Sequence, residues 1–383
     1  MTTRLVVLGA GFAGLEIATL VSRACADEAE IVLIDQSPDF VFGFSKLDVM
    51  FGRVTAEHVR HPYSSILKPS VRFVPASITR IDPQARLVQT SAGPFEADIL
   101  VVALGADLDI AATPGLAEAG HEFYTVAGAF AMREVLDAFT GGRVVIGVTS
   151  TPFKCPPAPS ETALLMHEFL TERGLREDSQ ITLVMPFGIP IPPSPEASAA
   201  ILDAFAERGI QWVPDRIVLG LDADTSTVQL SDDQALPFDL FLGVPVHRVP
   251  PVVAASGMTE DGWIPVNPLT LETKYPNVYA VGDVTSVGTP KAGVFSEGQG
   301  VVVAERIIAQ VAGQQPTSQY GGRGICYLEF GSHEVAKVDV VFRSGERPVG
   351  DLVGPSASLM DDKVSFGSER IQRWFGREWS PIG

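Results

Sequence analysis

The chain has 383 residues, of which 46% are hydrophobic and 19% are charged, and its formal net charge is −18. This composition supplies enough apolar side chains for buried cores and excludes global disorder, while the acidic balance argues against binding of nucleic acid or anionic lipid by the surface as a whole. The three cysteines, Cys25, Cys155 and Cys326, are too few for a disulfide scaffold or a four-thiolate metal site, although they permit a redox pair.

The chain begins with a predicted β-α-β unit that carries a glycine motif. An apolar strand at 5–8 is followed by Gly9, Gly11 and Gly14, and a helix-forming stretch then leads to a second strand that ends in Asp35. The first glycine permits a tight turn, the second lets a pyrophosphate approach the backbone, and the third lets helix and strand pack closely. An acidic side chain 21 residues after Gly14 can bond ribose hydroxyls. The unit predicts a dinucleotide site, without separating FAD from NAD.

Strands and helices alternate through the rest of the chain in two blocks. Further strands are predicted at 71–74, 99–103, 143–147, 181–185, 240–246, 278–281 and 338–342, and helices at 132–139, 160–173, 197–208 and 295–312. The stretch 186–195 holds five prolines and is predicted to be a loop. This alternation predicts two doubly wound α/β domains.

The second block lacks an intact glycine motif after its first strand. Only Gly147 remains, because Thr149 and Pro152 occupy the second and third glycine positions. A side chain at the second position blocks close approach of a pyrophosphate, and proline removes a backbone donor. We therefore do not expect NAD(P)H to bind in the usual way, and the electrons should come from another donor.

Several segments resemble those of a known flavoprotein family. They are segment 97–106, the run Asn277-Val278-Tyr279-Ala280-Val281-Gly282-Asp283, the run Cys155-Pro156-Pro157-Ala158-Pro159, segments 262–266 and 290–293, and the second cysteine, Cys326. Over nearly its whole length the chain resembles the family that includes sulfide:quinone oxidoreductase and the flavin subunit of flavocytochrome c sulfide dehydrogenase. The resemblance implies FAD as the cofactor.

The resemblance also implies a domain organisation and a set of cofactor-binding residues. The fold is expected to be α/β, with two Rossmann-like domains and a small C-terminal α+β domain. The expected ranges are 1–108 and 237–313 for the FAD-binding domain, 109–236 for the second Rossmann-like domain with Cys155, and 314–383 for the C-terminal domain with Cys326 and an aromatic tail. The expected FAD-binding residues are Gly9, Gly11, Phe12, Ala13, Gly14, Asp35, Gln36, Ser77, Ile78, Ala103, Leu104, Gly105, Gly282, Asp283, Lys291 and Ala292.

The resemblance assigns the chemistry to a cysteine pair beside the flavin. Cys155 and Cys326 match the redox-active cysteines of the family, and Glu161 matches a group proposed to handle protons. A sulfide anion would attack the disulfide and leave the attacked sulfur as a persulfide. Lys154 and the helix that follows are expected to lower the pKa of the Cys155 thiol, and Lys291 is expected to stabilise anionic reduced flavin. The third cysteine of the quinone-linked relatives is missing, because no cysteine lies between Cys25 and Cys155.

Each of these residues also has a plainer explanation. Cys326 lies in a segment that an ordinary strand would explain, and Glu161 would suit the first turn of any helix. Lys291 would be unremarkable as a solvent-exposed lysine. His247 is expected to be structural rather than catalytic, and Cys25 is expected to be structural. The scattered histidines form no metal-ligand pattern, so no metal is expected.

The last residues mix arginines with aromatic side chains. They include Arg370, Arg373, Trp374, Arg377 and Trp379. Such a mixture would suit peripheral contact with a membrane, as in quinone reductases of the family. Packing of the tail on the body of the protein is the alternative. No export signal or membrane-spanning run is evident, so the expected location is the cytoplasm, with the inner face of the membrane as the alternative.

The leading hypothesis is an FAD-dependent oxidoreductase that oxidises sulfide or a related small sulfur species through Cys155 and Cys326. The acceptor is left open between a quinone and a haem protein. The alternatives are an NAD(P)H-dependent disulfide or quinone reductase, and a flavin and disulfide redox sensor without turnover. Reduction of the flavin by NADH would favour the first alternative, and absence of turnover with any acceptor would favour the second.

Overall fold

The computed structural model describes residues 2–66 and 68–382. Its helices are α1 (Phe12–Cys25), α2 (Gly43–Met50), α3 (Leu116–Ala119), α4 (Val126–Ala138), α5 (Ala158–Glu172), α6 (Pro195–Arg208), α7 (Pro251–Ala254), α8 (Gly293–Val311) and α9 (Leu359–Phe375). Its strands are β1 (Thr3–Leu8), β2 (Ala29–Asp35), β3 (Asp39–Phe40), β4 (His61–Pro62), β5 (Val71–Pro75), β6 (Ile78–Asp82), β7 (Leu87–Thr90), β8 (Gly93–Glu96), β9 (Ile99–Val102), β10 (Asp107–Asp109), β11 (His121–Glu122), β12 (Gly142–Val148), β13 (Ser179–Val184), β14 (Ile210–Val213), β15 (Val218–Asp222), β16 (Thr227–Leu230), β17 (Ala235–Pro237), β18 (Leu240–Val244), β19 (Val246–Arg248), β20 (Val278–Ala280), β21 (Arg323–Gly331), β22 (Glu334–Val341) and β23 (Val349–Ser356). The predicted α/β class is confirmed.

The first sheet is parallel and carries the glycine motif at its centre. Its order is β20-β9-β1-β2-β5, so β20, which comes from much later in the chain than the other four strands, joins the sheet beside β9. Residues Leu5 to Leu8 of β1 are at most 1% exposed, as expected for a continuous apolar strand that is covered on both faces. Helices α1 and α8 pack against each other on one side of this sheet.

The second sheet is also parallel, with the order β11-β18-β12-β13-β14. Strand β18 pairs with β12 from Val144↔Leu240 to Val148↔Val244. The predicted boundary at 236/237 assigns β18 to the second part of the FAD-binding domain, and this boundary is wrong because β18 pairs with β12 of the other sheet. The apolar run alone does not reveal which of two parallel sheets a strand joins. Strand β10, which comes after β9 of the first sheet, pairs in antiparallel fashion with β19, which comes after β18 of the second sheet.

The C-terminal part forms an antiparallel sheet, β21-β22-β23, against which α9 packs. Cys326 lies on β21 opposite Val338 of β22. Helix α9 ends at Phe375, and the next residue, Gly376, adopts a left-handed conformation with φ of 69° and donates its backbone N–H to the carbonyl of Gln372 at 3.0 Å. This glycine therefore caps a helix of 17 residues.

The aromatic tail packs on the body of the protein. Trp374 is fully buried against Phe12, Phe40 and Phe42, with ring centroids between 5.4 and 6.1 Å away. Its indole N–H donates to Glu16 Oε2 at 2.6 Å. A side chain enclosed in this way has no free face for lipid, so Trp374 itself follows the packing alternative.

The arginines of the tail are also engaged within the chain. Arg370 Nε donates to Glu297 Oε2 at 2.7 Å, and Arg373 pairs with both Glu16 and Glu297. Arg377 donates to the carbonyl of Arg60 at 3.1 Å. Among the residues that the structure describes, none of the helices has the length and apolarity needed to span a membrane.

Candidate active site

The turn between β1 and α1 forms a cradle in which side chains are excluded. A Cβ atom at Gly9, where φ is +98°, would lie 2.3 Å from the carbonyl oxygen of Ala103, and one at Gly14 would lie 1.9 Å from the carbonyl oxygen of Gly9. A Cβ at Gly11, in contrast, would have no neighbour within 4 Å, so this glycine faces open space at the N-terminus of α1. An open backbone at a helix N-terminus fits a pyrophosphate group.

Asp35 braces this turn from the end of β2. Its Oδ2 accepts the N–H of Ala10 and its Oδ1 accepts the N–H of Ser37, both at 2.8 Å. The hydroxyl of Ser77 donates to Gln36 Oε1 at 3.3 Å beside it. A large cavity begins at this turn. Eight of the predicted cofactor-binding residues do not line it: Gly9, Gly14, Asp35, Gln36, Ser77, Ile78, Leu104 and Lys291.

A cavity of about 530 Å³, here called the cofactor cavity, extends from this turn across the first sheet. The predicted residues that line it are Gly11, Phe12, Ala13, Ala103, Gly105, Cys155, Glu161, Gly282, Asp283, Ala292 and Cys326. Lining residues that the sequence analysis missed include Phe40, Phe44, Lys46, Tyr63, Tyr124, Tyr327, Lys363 and Phe366. Residues from the first half of the chain, from α8 and from α9 therefore meet around one volume that fits a dinucleotide.

The tyrosines of the cofactor cavity differ in their hydrogen bonding. The Tyr63 hydroxyl donates to the carbonyl of Ala10 at 2.8 Å. The Tyr124 hydroxyl is buried without a hydrogen-bond partner among the described residues, and burial raises its pKa well above the usual value. A buried hydroxyl that stays neutral and unpaired at a cavity wall fits a polar group of a bound cofactor.

The lysine expected to face the flavin is turned away from the cavity. Lys291 Nζ donates to the carbonyls of Asp283, at 2.6 Å, and Thr285, at 3.2 Å, and lies 3.2 Å from the centroid of the Trp263 ring. Burial lowers the pKa of this ammonium to about 8. Lys154, by contrast, lines the cavity, and its charge opposes the rise that burial causes in the pKa of Asp283. The geometry therefore indicates that Lys291 stabilises the backbone at Asp283 and Thr285 by hydrogen bonds.

The loop after β12 is built differently from a nucleotide-binding turn. The backbone N–H and the hydroxyl of Thr149 both donate to the carbonyl of Val244, at 3.1 and 3.0 Å. A Cβ at Gly147 would lie 2.6 Å from Val218 and 2.9 Å from Phe241, so the strand end is already packed. Helix α5 begins only at Ala158. These contacts leave no open backbone for a second pyrophosphate.

The long loop instead presents Cys155 in a constrained conformation. Cys155 has φ of +48°, a left-handed value that few non-glycine residues adopt. Its N–H donates to the carbonyl of Lys291 at 2.7 Å, and its carbonyl accepts the N–H of Ala158 at 2.8 Å. Strain of this kind persists where surrounding contacts fix the backbone, and it often marks functional positions.

Cys155 and Cys326 lie where two cavities meet. Both line the cofactor cavity, and both also line a second cavity of about 470 Å³. We call the second one the proline cavity because its walls include Pro156, Pro157, Pro190, Pro192, Pro193, Pro290 and Pro348. The structure thus brings together two cysteines that are 171 positions apart in the sequence.

Burial has the largest effect on the pKa of both thiols, larger than that of any neighbouring lysine. Burial raises the pKa of Cys326 to about 12, with a further rise from the Glu161 charge. Burial also raises the pKa of Cys155 strongly, and the nearby cation that opposes the rise is Lys46. A backbone hydrogen bond from Ala158, the first residue of α5, also opposes the rise, but burial outweighs it, so the expectation that Cys155 would have a low pKa is wrong. Reduced cysteines at this site are held as neutral thiols at pH 7.

Glu161 is buried between the cysteines and an ionic cluster. Its Oε1 accepts the N–H of Glu329 at 3.1 Å and lies 4.0 Å from Lys363 Nζ. Burial raises the pKa of Glu161 to about 7, although Lys363 opposes this rise. A carboxyl group with a pKa near 7 can hold or release a proton at physiological pH.

The ionic cluster behind Glu161 joins α9 to the body of the protein. Lys363 of α9 pairs with Glu329 of β21, which also pairs with Arg53. Burial opposes ionisation of Glu329, but the charges of Lys363 and Arg53 hold its pKa at about 2. Burial raises the pKa of the neighbouring Asp48 to about 6. Because Lys363 and Glu161 both line the cofactor cavity, this cluster forms its charged end.

His247 has the structural role expected from the sequence. Its Nδ1 lies 2.8 Å from the carbonyl of Pro245, and its Nε2 accepts the backbone N–H of Lys154 at 3.2 Å. Burial lowers its pKa to about 3, so the ring is neutral and Nδ1 is the donor to Pro245. This arrangement fixes the loop one residue before Cys155.

Comparisons with known proteins agree with this geometry. The sequence profile of the pyridine nucleotide-disulphide oxidoreductase family matches residues 3–310. The chain is 23% identical over 344 residues to the mitochondrial sulfide:quinone oxidoreductase of Mus musculus, with 86% of this chain and 76% of that protein covered. It is 27% identical over 360 residues to the sulfide-quinone reductase of Aquifex aeolicus, with coverage of 86% and 82%.

A solved structure supports the fold over nearly the whole chain. The crystal structure of the sulfide:quinone oxidoreductase from Aquifex aeolicus superposes with a TM-score of 0.85 at 23% sequence identity, covering 98% of this chain and 92% of that one. Together the comparisons confirm the predicted resemblance to sulfide:quinone oxidoreductases and the predicted FAD cofactor.

Proposed function

Because this chain belongs to the pyridine nucleotide-disulphide oxidoreductase family, we propose that it oxidises sulfide through a Cys155–Cys326 disulfide and passes the electrons by way of FAD to a quinone. The observation that carries this proposal is the position of the two cysteines, which line both the cofactor cavity and the proline cavity. A redox pair at this boundary would receive electrons on one side and deliver them on the other.

The cofactor cavity fits FAD, whose ring when bound would accept an electron pair from the reduced cysteines and pass electrons on singly. Gly11 and the N-terminus of α1 would hold the pyrophosphate, and Asp283 would bond hydroxyl groups of the chain that joins pyrophosphate to ring. Lys154 places a positive charge at the same wall of the cavity. Trp374, docked on Phe12, closes α9 over the start of α1.

The chemical step at the cysteines is a thiol–disulfide exchange. A sulfide anion attacks one sulfur of the disulfide, the bond between Cys155 and Cys326 breaks, and the attacked cysteine becomes a persulfide. The other cysteine leaves as a thiolate, which burial makes unfavourable, since burial raises the pKa of both thiols. Glu161 is buried at the same cavity wall with a pKa of about 7 and can give the leaving thiolate a proton. A second hydrosulfide anion then takes the outer sulfur of the persulfide and leaves as HSS⁻, so that both cysteines are reduced thiols whose electron pair passes to FAD as the disulfide forms again.

Two features support a quinone as the acceptor. Both curated relatives described above carry quinone in their names. The end of the cofactor cavity near α9 is lined by Phe44, Tyr327 and Phe366 together with Lys363, and Lys363 Nζ lies 5.1 Å from the centroid of the Phe44 ring. An aromatic wall with one buried cation suits a flat apolar ring that carries carbonyl oxygens.

The direct test is an anaerobic titration of the purified yellow holoenzyme, followed by flavin absorbance, with sulfide or with NADH as the reductant. We expect sulfide to bleach the flavin within seconds and a quinone to restore the colour. We expect NADH at the same concentration to leave the spectrum unchanged, because Thr149 and Gly147 close the turn that would bind its pyrophosphate. Bleaching by NADH and not by sulfide would favour the pyridine-nucleotide reductase instead.

Substitution Glu161→Gln should remove one limb, the fall in rate constant at high pH, from the pH profile of flavin reduction by sulfide. In the wild type the Glu161 carboxyl loses its proton as the pH rises through about 7, so the rate constant per hydrosulfide anion should fall above that pH. The variant cannot donate this proton, and it should be slower by about 10²- to 10³-fold with no such limb. Glu168→Gln on the same helix, whose carboxylate pairs with Arg53 nearer the surface, is the matched control and should keep the limb. A limb that persists in Glu161→Gln would contradict this role.

A further inference from the structure

The proline cavity is far larger than a hydrosulfide ion requires. Its volume is about 470 Å³, within the range of roughly 300–1,000 Å³ that is typical of sites for organic ligands. Hydrosulfide has a single heavy atom and would occupy only a small corner beside the cysteines. The cavity is also distinct from the cofactor cavity, with which it shares only Cys155, Ala292 and Cys326. The volume therefore needs an occupant other than sulfide or FAD.

The walls of the proline cavity are apolar. Apart from the cysteines, the side chains that line it are prolines, aliphatic residues, Phe187, Phe295 and Phe342, and one charged residue, Arg347, which is exposed. An anionic polysulfide inside this cavity would lose its hydration without gaining buried donors, which is costly. A neutral apolar body would instead be favoured by its release from water.

The cavity is preformed rather than a gap between mobile loops. Ile191 is tied to α6 by two bonds with the Ser198 hydroxyl, which accepts the Ile191 N–H and donates to the Ile191 carbonyl, each at 2.9 Å. The Phe187 ring stacks on Phe153 at 5.9 Å between centroids. Prolines restrict the remaining backbone. A rigid apolar wall reduces the entropy lost when a ligand binds.

We propose that the proline cavity binds the apolar body of an organic thiol and that the Cys155–Cys326 pair oxidises this thiol to its disulfide. This second activity rests on the redox pair and FAD of the proposed function, but it has a different electron donor. The cavity would present the thiol group to the face of the cysteines opposite the cofactor cavity.

The reaction is balanced by two successive exchanges. The sulfur of a first thiol, as its thiolate, attacks one cysteine, the disulfide of the pair breaks, and a mixed disulfide forms while the other cysteine takes up a proton. The sulfur of a second thiol then attacks the substrate sulfur of the mixed disulfide. The dialkyl disulfide leaves, and the first cysteine takes up the second proton. Two thiols have lost two electrons, and the pair has gained them as two cysteine thiols, which FAD then reoxidises as in the proposed function.

The test compares hydrosulfide with ethanethiol, butanethiol and hexanethiol as reductants of the holoenzyme in anaerobic stopped-flow measurements. Straight-chain alkyl thiols have nearly the same acidity, so differences in rate report binding of the chain. Each added methylene should raise the second-order rate constant for flavin bleaching about fourfold, so hexanethiol should react about 200-fold faster than ethanethiol. Mass spectrometry should find one dialkyl disulfide for each flavin reduced.

Two variants locate the effect in the proline cavity. Ile191→Asn places an amide in the wall, and Pro348→Trp, at a partly exposed position, narrows the cavity. Each should lower the ratio of the hexanethiol rate to the ethanethiol rate by about tenfold, while Leu219→Asn, at a leucine that is 48% exposed outside the cavity, should leave that ratio unchanged. The FAD spectrum reports folding, and Pro348→Trp carries the test if Ile191→Asn does not fold.

The outcomes separate this inference from the proposed function. Bleaching by hydrosulfide but by no alkyl thiol, or equal rates along the alkyl series, would overturn the thiol oxidase activity and leave sulfide oxidation intact. Bleaching by neither class would overturn both. Bleaching by hexanethiol but not by hydrosulfide would support the thiol activity and overturn sulfide as the donor.

Discussion

Cys155→Ser is expected to abolish reduction of the flavin by sulfide while FAD stays bound. A serine hydroxyl cannot form a disulfide with Cys326, so the electrophile that sulfide attacks is lost, and the rate constant should fall by at least about 10³-fold. Serine is close to cysteine in size and can keep the backbone bonds to Lys291 and Ala158 that fix the loop. Stopped-flow absorbance gives the rate, and the flavin to protein ratio after gel filtration gives the FAD content.

The other cysteines supply the comparison. Cys326→Ser should be equally slow, and the double variant should be no slower than either single variant, because the two sulfurs act as one unit. Cys25 is 5% exposed at the end of α1 and packs in the core of the first sheet, outside both cavities. Cys25→Ser should therefore reduce its flavin at the wild-type rate. Rapid reduction by sulfide in Cys155→Ser would exclude the cysteine pair as the entry point.

Lys363→Met should destabilise the protein by about 3–5 kcal/mol at pH 7.5, because it leaves buried carboxylates without their cation. Lys363 pairs with Glu329 and lies 4.0 Å from Glu161, and its charge also reaches Asp48. Methionine fills a similar volume, so the loss is mainly one of charge. Urea unfolding can be followed by tryptophan fluorescence, to which Trp374 on the same helix contributes.

The pH dependence of this loss has a definite sign. In the wild type, the pKa of Glu329 is depressed to about 2, so its ion pairs stabilise the fold above the ordinary carboxyl pKa and lose this effect as the pH falls towards 2. In the variant Arg53 is the remaining cation beside Glu329 and Asp48, and protonation of the buried carboxylates relieves the missing Lys363 charge, so the deficit should shrink as the pH falls from 7.5 to 5. Lys337→Met, which breaks a partly exposed pair of 3.5 Å with Asp362 of α9, should cost less than about 1 kcal/mol. Equal losses in the two variants at every pH would contradict the buried-charge explanation.

The sequence predicts the parts of the site that depend on short-range patterns. The glycine turn follows from a strand, a helix and three glycines at fixed spacing, and the closed loop after β12 follows from Thr149 and Pro152. The pairing of Cys155 with Cys326 could not be derived from spacing, because 171 positions separate them. It came from resemblance to a family, and the structure places both cysteines at the same two cavities.

The buried charges escaped prediction because their partners are distant in the sequence. Asp48, Glu329 and Lys363 come from α2, β21 and α9, and none lies in a recognisable motif. The orientation of the Lys291 side chain also could not be predicted from the sequence, since its ammonium could face either the flavin or the carbonyls that it binds. A signal for α9 was present, because Ile371, Trp374 and Phe375 have the spacing of one helical face and are all buried.

The most direct test of the redox pair is a count of free thiols in the oxidised and reduced holoenzyme. Each sample is quenched in acid, denatured, alkylated and examined by peptide mass spectrometry. In the oxidised enzyme we expect only Cys25 to be alkylated and a linked peptide pair to contain Cys155 and Cys326, while after sulfide and dithionite all three cysteines should be alkylated. Alkylation of all three cysteines in the oxidised enzyme would contradict the proposed disulfide and the mechanism built on it.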